Sequence, residues 1–314
     1  MHPKPQQPMK AISSYTHRFS TGSAILSALL LIVGLTACDD DFSPKADFVE
    51  RVVVFSVLDR SASYQVVRLE RTFDADGLDL GNKQTPDPVT EATVEVRTAG
   101  ERHVFTDTLI TLSDGSTRKV WINRDLRPVE GRVYTLTVDV PGFDRINATT
   151  QVPSRAFVQI QVIDGGVRLL AVENTAYPAS GYYFRLWVSG KKTVDGVETE
   201  VRREVPFRLN SVTGKFEFPE PSRDKAVVFP NGNLLRAHSA LQQEEGVSGR
   251  EVVGEAYSLD QFFYSYYKLA RGFDDPVSVR QDRPDISNIE GGVGIFGAVY
   301  PDSVIARFTS VVVQ

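Results

Sequence analysis

From residue 50 to the end of the chain, β-branched and aromatic runs recur, many alternating with polar residues, and turn residues separate them. Residues 50–58 open the series, and 63–73 follow after a short polar break; both runs predict strands. Residues 91–98 alternate strictly, with Ala92, Val94 and Val96 on one face and Thr93, Glu95 and Arg97 on the other, which predicts a half-buried strand. Further strands are expected at 103–110, 118–123, 132–140 and, beyond the Pro141-Gly142 turn, 145–152. Short strands at this spacing, without a helical pattern between them, point to a β-sandwich of immunoglobulin or transthyretin type over residues 48–153.

The second half continues in the same way, with expected strands at 157–163, 167–173, 182–188, 198–209, 215–218, 225–229 and 250–257. Asp195-Gly196 is a hairpin signal, and 234–243 has the makings of a short helix. One helix stands out at 259–271: Leu259, Phe262, Phe263, Tyr266, Tyr267 and Ala270 share a face, Ser258 and Gln261 have capping-box spacing, and Gly272 ends the run. Such an aromatic stripe is expected to pack on a sheet rather than to serve as a ligand platform. Final strands are expected at 295–299 and 303–313. The fold class is therefore all-β with one notable helix: the N-terminal sandwich, cut at Pro153-Ser154, then a second antiparallel β-rich domain over 154–314.

The N-terminal segment obeys different rules. An uncharged apolar run from residue 24 to 35 follows Lys4, Lys10, His17 and Arg18, with no acidic residue before it. Spanning a bilayer takes about 20 apolar residues, so the run has the proportions of a secretory signal occupying 1–37. Leu35-Thr36-Ala37-Cys38 then resembles the lipobox of bacterial lipoproteins, which implies a diacylglycerol thioether on Cys38 and cleavage before it. Asp39, Asp40 and Asp41 begin a polar tether, 38–47, and resemble a surface-export signal.

Cys38 is the only cysteine, so neither a disulfide nor a thiolate metal site is available to the folded body. The formal net charge is −5, and loss of Lys4, Lys10 and Arg18 with the signal makes it more negative still. An acidic body with scattered cations argues against nucleic-acid binding.

Candidate chemistry is sparse. Gly292-Val-Gly294-Ile-Phe-Gly297 fits the dinucleotide fingerprint by letter but lies near the chain end, where no βαβ unit fits. Its glycines are better explained by positive φ or close packing at a bulge before the final strands. Asp74, Asp76 and Asp79, with Asn82, are weak Ca²⁺ candidates, since flexible carboxylate loops suit that ion although the spacing is not that of an EF-hand. Only His103 and His238 survive signal removal, so a three-histidine zinc site is excluded, and His238, near Glu244 and Glu245, is the candidate acid–base group. No nucleophile elbow surrounds a serine, and Trp121 and Trp187 are expected in the core.

Ser287-Asn-Ile-Glu-Gly-Gly-Val-Gly-Ile-Phe-Gly297 resembles the closing signature of the DUF4249 family of uncharacterised Bacteroidota outer-membrane lipoproteins. The lipobox cysteine, the strand at 52–54, the segment 89–96, the strand at 134–138 and the Tyr-rich helix also match it. The resemblance implies location and architecture but no catalytic residue: a lipid-anchored protein of the outer membrane, facing either the periplasm or the cell surface. The missing catalytic motifs predict a protein without enzymatic activity or cofactor. The resemblance further implies an accessory or ligand-binding role beside a TonB-dependent receptor in nutrient uptake. The alternatives are an envelope hydrolase acting on glycan or peptide, with His238 or a carboxylate pair distant in sequence as its acid–base group, and a structural or adhesive module.

Overall fold

Residues 48–72, 88–112, 115–173, 176–270 and 287–312 are described in the computed structural model. The first strands are β1 (Val52–Asp59), β2 (Gln65–Arg71), β3 (Thr93–Thr98), β4 (Glu101–Thr111), β5 (Thr117–Asn123), β6 (Val133–Asp139) and β7 (Ile146–Gln151). There follow β8 (Ala156–Ile163), β9 (Gly166–Glu173), β10 (Gly181–Val194), β11 (Val197–Glu204), β12 (Arg208–Leu209), β13 (Phe216–Glu217) and β14 (Ala226–Pro230). Helix α1 (Asn231–Gln242), β15 (Val247–Leu259), α2 (Gln261–Ala270), β16 (Ile289–Glu290), β17 (Val293–Arg307) and α3 (Phe308–Val312) complete the order. The chain is all-β with few helices, as the periodicity predicts.

Most strands join a 12-stranded sheet in the order β11-β10-β15-β17-β1-β2-β5-β4-β3-β6-β7-β16. It curls at β4, whose first half pairs with β3 and whose second half pairs with β5, so the sheet folds over on itself. The two layers enclose a core in which Val54, Leu69 and Trp121 meet Val96, Tyr134, Leu136 and Ile146, together with Phe296 and Ala298 from β17. This is the N-terminal sandwich. Each large apolar side chain so enclosed contributes about 2 kcal/mol.

A second core lies between β10, β15 and the later part of β17 on one side and, on the other, the three-stranded sheet β14-β9-β8 with α1. Leu169, Leu186, Phe229, Leu234 and Val252 are buried in it. The two cores fall on either side of Pro153, except that β16 and the first part of β17 return to the N-terminal one. Strand β17 thus belongs to both, pairing in parallel with β1 through 293–299 and antiparallel with β15 through 299–307.

Four local expectations need correction. Glu95, placed outward by alternation, is only 8% exposed, because Arg97 and Arg102 close over its carboxylate. Its pKa is lowered, chiefly by the Arg102 hydrogen bond. The expected strand 198–209 breaks after Glu204, since β12 pairs only with β13. The two expected final strands are one continuous strand, β17, and the chain after Arg307 turns into α3, whose Phe308 and Val311 plug the second core. Lastly, α1 begins at Asn231, three residues before the expected start, directly after Pro230.

Candidate functional site

The glycine-rich signature is built from backbone contacts. Gly291 (φ +77) turns the chain between β16 and β17, and a Cβ there would meet the Arg145 carbonyl oxygen at 2.6 Å. Gly294 (φ +118) lies so close to β1 that its Cβ would stand 2.0 Å from the Val54 oxygen, and a Cβ on Gly297 would meet Phe263 of α2 at 2.8 Å. Only glycine tolerates such φ values and such approach. Asn288 completes the arrangement: its side-chain amide donates to the carbonyls of Phe296 (2.7 Å) and Thr149 (3.1 Å), and its oxygen accepts from Phe296 N–H (3.0 Å). The signature is a staple that closes the first sandwich, in line with the packing explanation.

Helix α2 lies across the opposite face of the sheet from the two cores. Phe263 is buried with Leu259, Ile295 and Val299, and Phe55, Tyr183, Tyr257, Phe262 and Tyr266 pack around them. The aromatic stripe therefore packs on a sheet, as expected. Its cap differs from the expected one: Asp260, not Ser258, accepts from the Phe263 N–H (2.8 Å), while Ser258 lies within β15, fully buried, with no partner for its hydroxyl among the described residues. Asp260 also accepts from Thr150 Oγ1 (2.6 Å) and donates its own N–H to the Ala298 carbonyl (3.0 Å), tying α2 to β7 and β17. Burial pushes the Asp260 carboxyl up to about 6 against these hydrogen bonds. An aspartate immediately before a periodic apolar run is a sequence signal that the Ser258 reading passed over.

The other sequence candidates disperse. His238 is 8% exposed and stacks on Phe308 at 3.8 Å, with no hydrogen-bond partner for Nε2. Burial, then the charge of Arg250, lowers its pKa, so the ring is held neutral inside the second core. Its sequence neighbour Glu244 instead pairs with Arg203. His103 has Glu101 Oε2 at 3.5 Å from its Nε2. Trp121 is core, donating to the Ala92 carbonyl at 3.3 Å. Cys38 and its tether, and Asp74, Asp76, Asp79 and Asn82, lie outside the described residues. Among the described residues no group of three or more His, Cys, Asp or Glu is placed to hold a metal.

What the sequence reading missed is assembled beyond α2 on that same face, from alternate residues of β10, β11, β15 and β17. Glu255 accepts from Trp187 Nε1 (2.9 Å), Tyr257 Oη (3.0 Å) and Arg202 Nη1 (3.1 Å). Arg185 makes a bidentate pair with Glu204 (both 2.9 Å) and lies 4.1 Å above the Trp187 ring. Burial opposes the charge on Arg185, but the Glu204 pair outweighs it and its pKa is raised. The Tyr257 hydroxyl is raised too, by burial and then by Glu255. Because the partners come from three strands, no local spacing announces this network.

Past the network the face opens into a cleft of about 630 Å³. Its floor follows a cross-strand row in which Arg202, Ser189, Glu251 and Arg307 stand side by side on β11, β10, β15 and β17. A register shift between Ser189 and Lys191 dents the sheet there. Lys191 pairs with Glu198 (2.9 Å) and Arg202 with Glu200 (2.7 Å) along its rim. A pocket of this size suits a small ligand, and its lining of both charge signs suits a polar one.

No curated protein matches the chain. Among solved structures, the chicken interferon gamma receptor alpha chain is similar at 9% identity over 67% of this chain and 90% of that one, with a TM-score of 0.17. The FN1–FN3 domains of chicken CNTN1 are similar at 9% identity over 80% of this chain and 63% of that one, with a TM-score of 0.15. The family model of the domain of unknown function DUF4249 matches residues 39–303, which takes in the N-terminal sandwich, the capped helix and the glycine staple, and the chain belongs to that family.

Proposed function

We propose that this chain is a lipoprotein of the Bacteroidota cell envelope, held in the outer membrane by acyl chains on Cys38. It works there as a non-enzymatic accessory or ligand-binding component beside a TonB-dependent receptor. The observation that carries the reading is the run Leu35-Thr36-Ala37-Cys38 directly after an uncharged apolar segment with a basic flank. A lone acyl chain holds weakly and two or more hold firmly, so full lipidation of one cysteine suffices as an anchor.

Two features of the chain support it. Strand β1 begins at Val52, so only a short stretch of sequence separates Cys38 from the folded body. The cleft opens at the far end of the fifteen-residue β17, which at ~3.3 Å per residue is roughly 45 Å from the edge where the chain enters. No observation favours the hydrolase reading, since the candidate base His238 packs on Phe308.

Growth with radioactive palmitate tests the anchor. The parent is expected to take up label and to fractionate with the outer membrane, whereas Cys38→Ala takes up none and leaves it. An unlabelled parent would overturn the reading of place. Detergent extraction of the labelled protein should co-purify a β-barrel receptor.

A further inference from the structure

We infer that the cleft beyond Trp187 binds a free amino acid through two opposite charges, with the ammonium on Glu251 and the carboxylate on Arg307. This deepens the reading of the chain as a binding component and rests on it.

The inference starts from which charges on this face are already matched. Arg185 is closed on Glu204, Lys191 on Glu198, and Arg202 on Glu200 and Glu255. Glu251 and Arg307 are directly opposite each other on β15 and β17, both line the cleft, and both side chains are exposed. Yet they form no ion pair with each other or with any other described residue. Directly opposed cross-strand residues have Cβ atoms about 5 Å apart, close enough for a Glu and an Arg to meet. Both therefore stand on the cleft floor without an ion pair, Glu251 in the field of Lys191.

The rest of the lining narrows the ligand. A polyanion entering the cleft meets Glu198, Glu200 and Glu251, and a polycation meets Lys191, Arg202, Arg250 and Arg307. Only a small molecule carrying both signs finds a partner for each without facing a like charge. An ammonium and a carboxylate a few ångströms apart are what a free α-amino acid presents, whereas the termini of an extended peptide stand farther apart by about 3.5 Å for each added residue. The exposed Ile305, one cross-strand row below Arg307, offers an apolar contact for a side chain.

Calorimetric titration of the detergent-solubilised, lipidated protein with L-alanine tests this, beside N-acetylalanine and alaninamide. Alanine is expected to bind, and each block to weaken binding about tenfold, as loss of one charge-assisted contact does. Glu251→Gln should erase the effect of acetylation and keep that of amidation; Arg307→Gln should do the reverse. Absence of binding, equal binding of blocked and free alanine, or variants that discriminate as the parent does would each overturn the inference. Thermal unfolding of the two variants guards against a folding defect. Failure here is separable from failure of the anchor, because palmitate labelling and amino-acid binding are read independently.

Discussion

The two halves of β17 follow opposite rules although they are one strand. From Val293 to Val299 nearly every residue is buried, glycine recurs, and the strand is gripped by β1 on its edge and α2 on its face. From Tyr300 to Arg307 half-buried and exposed residues alternate, and the outward side chains run into the cleft. The first half holds the family signature and performs architecture. The second half reads as an ordinary strand and carries the open chemistry. A distinctive motif is thus evidence of a packing problem solved in one way, whereas a binding surface assembled from several strands leaves each of them looking generic.

The largest effect expected from breaking this contrast is at Gly294. An added Cβ would stand 2.0 Å from the Val54 oxygen and 2.9 Å from its carbonyl carbon, at a φ of +118 that L residues rarely adopt. Backbone cannot move aside without unpairing β1 from β17, so Gly294→Ala should cost about 4 kcal/mol or more. Urea unfolding measures it. A loss below about 1 kcal/mol would mean that the strands are less tightly apposed than described.

Much of this was legible beforehand, for identifiable reasons. Strand positions could be read because alternation at 91–98 and the β-branched runs report burial directly. The aromatic face of α2 was legible from its helical spacing, and the glycines from their density ahead of a strand. Three things were not. Glu95 breaks the in–out rule because two arginines supply the solvation that water otherwise gives. The region after 303 keeps strand-like composition, but Phe308 and Val311 find their burial in the second core as a helical turn. The cleft and the Glu255 network draw on residues from 185 to 307, and sequence distance of that order hides any pairing.

Asp260 sharpens the comparison, because it locks α2 onto the buried half of β17. Its carboxyl ionises near pH 3.8 when unfolded and, through burial, at about 6 when folded. Over that window the native state holds a proton that the unfolded chain has released. The stabilisation is therefore complete below about pH 4 and lost as pH rises through 6, with a cumulative size of about 3 kcal/mol. Asp260→Asn keeps a cap acceptor but cannot ionise. The stability of the parent relative to the variant should fall by about that amount between pH 4 and 8, and a flat difference would show the carboxylate to be better solvated than its burial implies.

The smallest effect belongs to the open half of the strand. Arg307 has no ion-pair partner among the described residues and its side chain is exposed, so Arg307→Gln strands no buried charge and opens no cavity. Its unfolding midpoint should shift by no more than about 0.5 kcal/mol of stability, the range of surface changes away from special features. The same holds for Glu251, which is exposed and forms no ion pair among the described residues. If either substitution instead cost more than about 1 kcal/mol, the pair would be bonded to each other in solution. The cleft floor would then be a closed salt bridge, and the division of β17 into a structural half and an available half would fail at its outer end.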